Sequence, residues 1–383
     1  MITTINNKHK KLNVPNLRFP EFQGEWDLCK ISNILSIGNG RDYKHLEKGN
    51  IPVFGTGGYM TSVNDYLYDG ETTFIGRKGT INKPYYYKGK FWTVDTLFYT
   101  HSFDGVTPHF VYCLFQTINW LKYNEASGVP SLSKDTIEKL KVHIPPIKEQ
   151  QKISRLILLL DERIATQNKI IDKLQSLIKG LNDFLYTQYG GEVLTSFAEL
   201  GTSYSGLSGK SAQDFGSGKP FITYLNVYSN NVIKENDFQY VAIKDDEKQN
   251  VVKYGDVLFT LSSETPEEVG VGSVYLGKEK VYLNSFCFGI HITNTEVAFP
   301  PYLSYYVSLT AFRKFIYPYA QGSTRFNLCK ADFEKASIKL PTLADQKRIY
   351  SVLGHIDCKI ETERQMLNLY NSQKQYLLRQ MFI

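Results

Sequence analysis

An internal repeat constrains the fold of this 383-residue chain more than any other feature. Residues 142–153 recur as residues 338–349, and the alignment pairs Pro145 with Pro341 at a constant offset of 196 residues. A repeat of this spacing is typical of two copies of one folding unit. The sequence therefore predicts two homologous halves.

A heptad pattern follows each copy of the repeated motif. Steps of four and three residues place apolar side chains in a narrow stripe, which is typical of a long helix that packs against another helix. The first stripe contains Ile153, Ile157, Leu160, Ile164, Gln167, Ile171, Leu174, Ile178 and Leu181. The second contains Ile349, Leu353, Ile356, Ile360, Glu363, Leu367, Tyr370 and Leu377. Polar Gln167 and Glu363 fall at equivalent places, where they either fix the register or occupy tolerated exposed positions.

The region ahead of each helix has a mixed strand and helix pattern. Short strands are predicted at 51–54 and 72–75 in the first half, and at 220–224 and 256–260 in the second. The predicted fold class is α+β: two homologous mixed α/β domains joined by two long helices, which form an antiparallel coiled coil with a pseudo-two-fold axis. The predicted segments are a first domain with its N-terminal tail at 1–145, a helix at 146–188, a second domain at 189–340 and a helix at 341–383.

Charge and hydropathy limit the classes of function. The net charge is +6, but no segment is a basic arm and the second domain is slightly acidic, so any DNA affinity must come from local clusters or from partner subunits. The most apolar stretch, 156–160, is far shorter than the roughly 20 residues of a membrane-spanning helix, so no membrane partner is expected. Five isolated cysteines without a C-x-x-C motif favour a reducing compartment, and we expect the protein in the cytoplasm.

Two unlike domains at opposite ends of one antiparallel helix pair can face two separated half-sites on duplex DNA. Because the domains differ in sequence, the half-sites should differ too, and the helix length should set their separation. The same architecture also fits a coiled-coil scaffold that binds two unlike protein partners.

Three segments resemble type I restriction–modification specificity subunits. Val14-Pro-Asn-Leu-Arg-Phe-Pro-Glu-Phe-Gln-Gly-Glu-Trp26 is similar to the opening of that family, and residues 144–153 and 340–349 are similar to its central and C-terminal conserved regions. The second copy departs by having Thr342 and Asp345 where the first has Pro146 and Glu149.

The resemblance implies a subunit that reads DNA and catalyses nothing. Two target-recognition domains would each bind half of a split double-stranded DNA site, and the helices would dock two methyltransferase (modification) subunits. Two restriction (motor-nuclease) subunits would complete the enzyme. S-adenosylmethionine, ATP and magnesium would belong to those partners, with no cofactor or metal in this chain.

A self-sufficient restriction enzyme is a further alternative, and the sequence argues against it. Neither Pro-Pro pair, at 145–146 or 300–301, has the preceding polar residue of a methyltransferase base-binding loop. The Gly209-Lys-Ser211 stretch lacks the first glycine of a phosphate loop, and the seven histidines show no metal-binding spacing.

The candidate DNA contacts are polar and basic residues in or near glycine-rich loops, because such side chains read base edges and hold phosphates. In the first domain they are Arg41, Lys44, His45, Arg77, Lys78, Asn82, Lys83 and Ser131. In the second they are Lys210, Ser211, Ser262, Ser263, Ser323 and Arg325. The segment 262–265 is predicted to replace the basic 76–80 loop of the first domain. The alternative for each residue is a solvated turn.

Overall fold

The computed structural model of the chain describes residues 13–244 and 246–383. Residues 1–12 of the predicted first segment lie outside this description. The chain divides into two compact units. The first unit combines residues up to Lys169 with Gln365–Ile383, and the second unit is Ile170–Arg364.

The first unit is built on a six-stranded sheet. Its elements in chain order are β1 Asp27–Lys30, β2 Ser36–Asn39, β3 Lys48–Gly55, β4 Gly58–Val63, β5 Tyr68–Gly76, β6 Tyr85–Thr93, β7 Leu97–His101, α1 Pro108–Thr117, α2 Lys134–Lys139, β8 Lys141–Ile144 and the first part of α3 Ile147–Tyr189. The sheet order is β2-β7-β5-β6-β3-β4, and β1 pairs separately with β8. Buried Phe74, Phe91 and Leu97 form an apolar cluster within this sheet.

The second unit has more elements than the first, with twelve strands arranged in four sheets. It contains β9 Val193–Thr195, α4 Phe197–Leu200, β10 Gly201–Ser205, β11 Phe215–Ile222, α5 Tyr224–Ser229, β12 Gln239–Val241, β13 Val257–Thr260, β14 Ser262–Ser263, β15 Gly272–Val274, β16 Tyr282–Leu283, β17 Cys287–Ile292, α6 Pro300–Tyr306, α7 Thr310–Ile316, β18 Ala320–Gln321, β19 Phe326–Leu328, α8 Lys330–Lys335, β20 Ile338–Leu340 and most of α9 Leu343–Met381. Its sheets are β10-β17-β13-β15, β12-β11-β16, β14-β19-β18 and β20-β9.

The strand predicted at 220–224 ends earlier than expected. Strand β11 stops at Ile222, and Tyr224 begins α5. The hydroxyl of Thr223 accepts a hydrogen bond from the backbone amide of Asn226 at 3.1 Å. Thr223 therefore acts as an N-cap, which starts a helix where the apolar run alone indicated a strand.

The two predicted long helices are confirmed. Helix α3 has 43 residues and α9 has 39, which corresponds to roughly 60 Å of helix each. Ile153, Ile157, Ile349 and Leu353 are almost completely buried. All of the predicted stripe residues are buried or half-buried, so the heptad stripe is the buried face of each helix.

The helices contact each other antiparallel within each unit. In the first unit, the Lys374 ammonium of α9 lies 2.6 Å from an Asp161 carboxylate oxygen of α3, and Ile157 and Leu378 share one core. In the second unit, Leu181 packs against the core that contains Leu353. In both cases a later residue of one helix meets an earlier residue of the other, which establishes the antiparallel direction.

The segment that carries the N-terminal motif docks on both helices of the first unit. Arg18 forms a bidentate pair with Glu149 at the start of α3, with both nitrogen–oxygen distances at 2.8 Å. The backbone amide of Leu17 donates to the carbonyl of Gln380 at 2.8 Å. The Trp26 ring packs edge-on against Phe382. This motif therefore ties the start of one helix to the end of the other.

Candidate nucleic-acid interface

The basic loops of the first domain surround the turn between β6 and β7. The backbone amide of Arg41 donates to the carbonyl of Thr93, and that of Arg77 donates to the carbonyl of Thr96, each at 2.8 Å. A Cβ atom at Gly40 would lie 1.9 Å from the carbonyl oxygen of Val94. Only glycine permits this approach, so the Gly-Asn-Gly stretch places the Arg41 loop beside the Arg77 loop.

Lys78 and Ser131 are brought together, although they come from loops far apart in the sequence. The two residues form an isolated antiparallel bridge, and the amide of Gly79 donates to the carbonyl of Pro130 at 2.8 Å. Arg77 and Lys78 are both exposed. The long side chains of Arg77 and Lys78 therefore extend from a backbone that is fixed by hydrogen bonds.

The remaining candidates of the first domain are exposed near these loops in sequence. Lys44 and His45 are exposed, and the His45 ring packs edge-on against Trp92 at 5.8 Å. The Trp92 indole nitrogen in turn donates to the Arg41 carbonyl at 2.9 Å, which anchors this loop to the sheet. Asn82 and Lys83 are also exposed and follow the buried residue at position 81.

The second domain brings four of its candidates together. Ser262 and Ser263 form β14, which pairs with β19. Strand β18 precedes β19 in a tight hairpin, whose connecting residues include Ser323 and Arg325. Arg325, Ser262 and Ser263 line one cavity of about 310 Å³.

A fixed carboxylate lies in the wall of this cavity. The Tyr228 hydroxyl donates to one oxygen of Glu268 at 2.8 Å, and the Ser263 hydroxyl donates to the other at 3.0 Å. The hydrogen bond from Tyr228, followed by that from Ser263, holds the pKa of the Glu268 carboxyl below its usual range. Glu268 therefore presents negative charge at neutral pH.

The same hydrogen bond joins the two candidate loops in each domain. The amide of Leu132 donates to the carbonyl of Arg77 at 2.8 Å, and the amide of Leu328 donates to the carbonyl of Leu261 at 2.8 Å. Leu132 and Leu328 are separated by the repeat offset. The two domains thus share one backbone arrangement at this place, here called the paired loops (residues 77–80 with 129–132, and 261–264 with 325–328).

This correspondence aligns residues whose chemistry differs. Lys78 of the first domain takes the place of Ser262 in the second. The two cations Arg77 and Lys78 are therefore replaced by the uncharged residues Leu261 and Ser262 on a shared backbone framework, and Ser262 and Ser263 are buried.

Two further candidates of the second domain already have partners. The Lys210 side chain is largely buried, pairs with Glu247 and donates to the carbonyl of Ala242 at 2.6 Å. Ser211 caps a short turn, with its hydroxyl donating to Asp214 at 2.9 Å. A contact between Lys210 and DNA stays a prediction, and it would require the ion pair with Glu247 to open.

A glutamine at the start of each long helix holds the adjacent domain. Gln150 is fully buried. Its amide oxygen accepts from the backbone amide of Thr107 at 2.9 Å, and its amide nitrogen donates to the carbonyls of Gly105 (2.9 Å) and Pro145 (2.8 Å). These bonds fix α1 to α3.

Gln346 makes the same three bonds in the second unit. It accepts from the amide of Phe299 at 2.8 Å and donates to the carbonyls of Val297 and Pro341 at 2.8 and 2.9 Å. Sequence analysis paired Gln150 with Gln346 through the repeat but missed this positioning role. The signal was an uncharged polar residue retained in both copies within an apolar helix start.

A buried polar cluster in the second domain was also missed. Asp256 accepts hydrogen bonds from the Tyr204 hydroxyl at 2.7 Å and from the backbone amide of Lys253 at 2.8 Å, and it lies 2.8 Å from the ring nitrogen Nδ1 of His291. Burial raises the pKa of the Asp256 carboxyl above its ordinary value. The scattered positions of these residues gave no sequence motif.

Within residues 13–244 and 246–383, no group of three or more His, Cys, Asp or Glu side chains is placed to hold a metal ion. Over the same residues, no helix has the length and apolar character needed to cross a bilayer.

Comparison with known proteins identifies the family. The family described as type I restriction modification DNA specificity domain matches residues 23–176 and again residues 200–369. A protein of Haemophilus influenzae assigned as the type I specificity subunit S.HindORF215P is 22% identical over 92% of this chain and 93% of its own length. A Methanocaldococcus jannaschii protein assigned as the MjaX specificity subunit is 26% identical over 80% of this chain and 74% of its own length.

Solved structures show the same fold. The crystal structure of a type I system S subunit from M. genitalium has a TM-score of 0.59 at 12% identity and covers 97% of this chain and 99% of that chain. A chain from a structural study of complex assembly and conformational transition of the type I system has a TM-score of 0.52 at 13% identity, with 92% and 96% coverage.

Two copies of one α/β domain, each joined to a long helix of an antiparallel pair, define a DNA-specificity architecture. The chain belongs to the family of type I restriction–modification specificity subunits. In type I systems this subunit supplies DNA specificity and has no catalytic role.

Proposed function

We propose that each recognition domain reads one half of an asymmetric, bipartite double-stranded DNA site. The paired loops carry this proposal: one backbone arrangement recurs in both domains, with exposed Arg77 and Lys78 in the first domain and exposed Glu264 and Arg325 in the second. Recurrence of the framework supports a common role, and divergence of its side chains supports two different half-sites.

In the first domain, Arg41, Arg77 and Lys78 supply the affinity. Arginine and lysine hold phosphates and donate to guanine O6 and N7 in the major groove. All three are exposed, and hydrogen bonds fix the backbone of their loops. These three cations form a local positive charge in a chain whose net charge of +6 is not concentrated in any basic arm.

The long helices dock the two methyltransferase subunits and set the half-site spacing. In the second unit, Ile170, Leu177 and Phe184 lie seven residues apart on α3 and are exposed, away from the buried stripe. In the first unit, exposed Met366 takes the place of Ile170 on α9, one repeat later. A second apolar stripe on an already paired helix suits a partner helix from another subunit.

The complete assembly adds two restriction subunits. S-adenosylmethionine, ATP and magnesium belong to the catalytic partners, and chromosomal DNA as the substrate places the assembly in the cytoplasm. The chain with a TM-score of 0.52 comes from a structural study of type I complex assembly, which supports assembly of this protein with modification and restriction subunits.

Methylome sequencing of host DNA, with this gene intact and deleted, tests the proposal. We expect methylation of one asymmetric bipartite motif to disappear on deletion. An unchanged methylome, in cells whose methyltransferase subunit is present and active, would refute DNA reading and favour a scaffold for two proteins. Binding of the assembled complex to DNA should also weaken steeply with salt, which a scaffold would not show.

A further inference from the structure

The second domain has opposite charges across its paired loops. In the antiparallel pair of β14 with β19, Ser263 lies opposite Phe326. Glu264 and Arg325 adjoin this residue pair, just beyond the end of the ladder, and both line the cavity described above.

The first domain has no charge at these positions. The hydrogen bonds of Leu132 and Leu328 align Glu264 with Thr80 and Arg325 with Val129. The acidic and basic pair is thus specific to the second domain.

The Glu264 carboxylate and the Arg325 guanidinium both lack a partner among the described residues of the protein. Glu264 and Arg325 are exposed and line the same cavity of about 310 Å³. Within the described parts of the chain, neither side chain forms an ion pair or a hydrogen bond. A carboxylate acceptor and a guanidinium donor therefore line one cavity and remain available to a ligand.

The cavity around this pair favours a base edge over a phosphate. The Tyr224 and Tyr228 rings stack at 6.0 Å with an angle of 15°, and 56% of the Phe286 side chain is exposed. The carboxylates of Glu264 and Glu268 repel phosphate, whereas they accept hydrogen bonds from the amino groups of bases.

The loop beyond Glu264 is held in place. The half-buried guanidinium of Arg313 donates to the carbonyls of Glu267, Val269 and Gly270 at 2.6–2.8 Å. On the other side of the cavity, β19 holds the residue that follows Arg325. The acceptor and the donor are therefore presented on ordered backbone.

We propose that the second domain reads a G·C base pair of its half-site in the major groove. Arg325 donates two hydrogen bonds to O6 and N7 of guanine, and Glu264 accepts a hydrogen bond from N4 of the paired cytosine. These are the pairings that the geometry of the two side chains favours. The inference rests on the proposed function and assigns part of the target to named residues.

The test uses the complete complex of this chain with its methyltransferase subunits. Initial methylation rates are measured on duplexes that carry the cognate motif or single base-pair substitutions of it. We expect R325A to slow methylation of the cognate duplex by about 10- to 100-fold and to abolish discrimination at one G·C position. E264Q should weaken discrimination at that same position.

Two further variants separate base reading from general attraction. R325K keeps the positive charge but loses the forked donor, so we expect it to lose discrimination at the same G·C position. K278A removes an exposed cation of the second domain outside the cavity and should leave discrimination unchanged. Thermal melting of each variant confirms that it is folded.

The inference is overturned if R325K discriminates as the wild type does, or if R325A and E264Q relax no G·C position. It is also overturned if the relaxed position lies in the half-site that R77A affects. These results would leave the bipartite motif of the wild type intact. Failure of the proposed function would instead remove the motif altogether, so the two failures are distinguishable.

Discussion

Replacement of Gln150 by leucine tests whether the buried glutamine holds the first domain on its helix. The substitution removes three hydrogen bonds and leaves the amide of Thr107 and the carbonyls of Gly105 and Pro145 without that partner. A buried polar group that loses its partner costs about 1–3 kcal/mol. Allowing for partial relaxation, we expect the free energy of unfolding to fall by about 3–5 kcal/mol.

Urea unfolding followed by circular dichroism measures this loss, and Gln151→Leu is the matched control. Gln151 is the next residue of the same helix and is exposed, so the same substitution there should change stability by less than about 0.5 kcal/mol. Gln346→Leu should match Gln150→Leu, because its three bonds have nearly the same lengths. A Gln150→Leu protein as stable as Gln151→Leu would refute the reasoning.

Four further outcomes are expected. Lys78→Ala should lower the slope of log affinity against log salt for the assembled complex by about 1, since one phosphate contact is lost; an unchanged slope would remove Lys78 from the interface. Arg18→Met should destabilise the chain by about 3–5 kcal/mol in thermal or urea unfolding, because it leaves the buried Glu149 carboxylate without its cation; wild-type stability would contradict this. Leu177→Ser with Phe184→Ser should reduce co-purification of the methyltransferase subunit without lowering the melting temperature, whereas full recovery would exclude this surface from docking. For Asp256, burial raises the pKa of the carboxyl in the folded state, so the folded state binds the proton more readily than the unfolded state does. The free energy of unfolding of the wild type should therefore rise relative to that of Asp256→Asn as pH falls from 7 toward 4, as measured by urea unfolding. A difference that stays constant over this pH range would contradict burial as the cause.

The helices and the repeat could be predicted because they are periodic. The stripe through Ile153 and Ile349 follows from spacing alone, since a helix that packs on another helix must repeat its apolar positions. Of the paired loops, 129–132 and 325–328 also follow this offset, whereas 77–80 and 261–264 do not. In these places the sequence pattern and the backbone arrangement have the same cause.

The partners of individual side chains could not be predicted. Glu247 neutralises Lys210 across 37 positions of the chain, and Arg18 reaches Glu149 across 131. Such contacts depend on the path of the loops, for which the divergent sequence has no periodic signal. A local contact also escaped prediction at Tyr224, because the capping hydroxyl of Thr223 starts a helix where the apolar pattern indicated a strand.

The composition of the first unit has a consequence for the order in which the chain folds during synthesis. Leu378, Met381 and Phe382 belong to the same core as Trp26 and Phe110, yet they are translated after the whole of the second unit. Domains usually fold in the order of their translation. Here the first domain, although made first, completes its core last. A chain released between Arg364 and Leu378 contains the whole of the second unit, whereas its first unit lacks part of its interior.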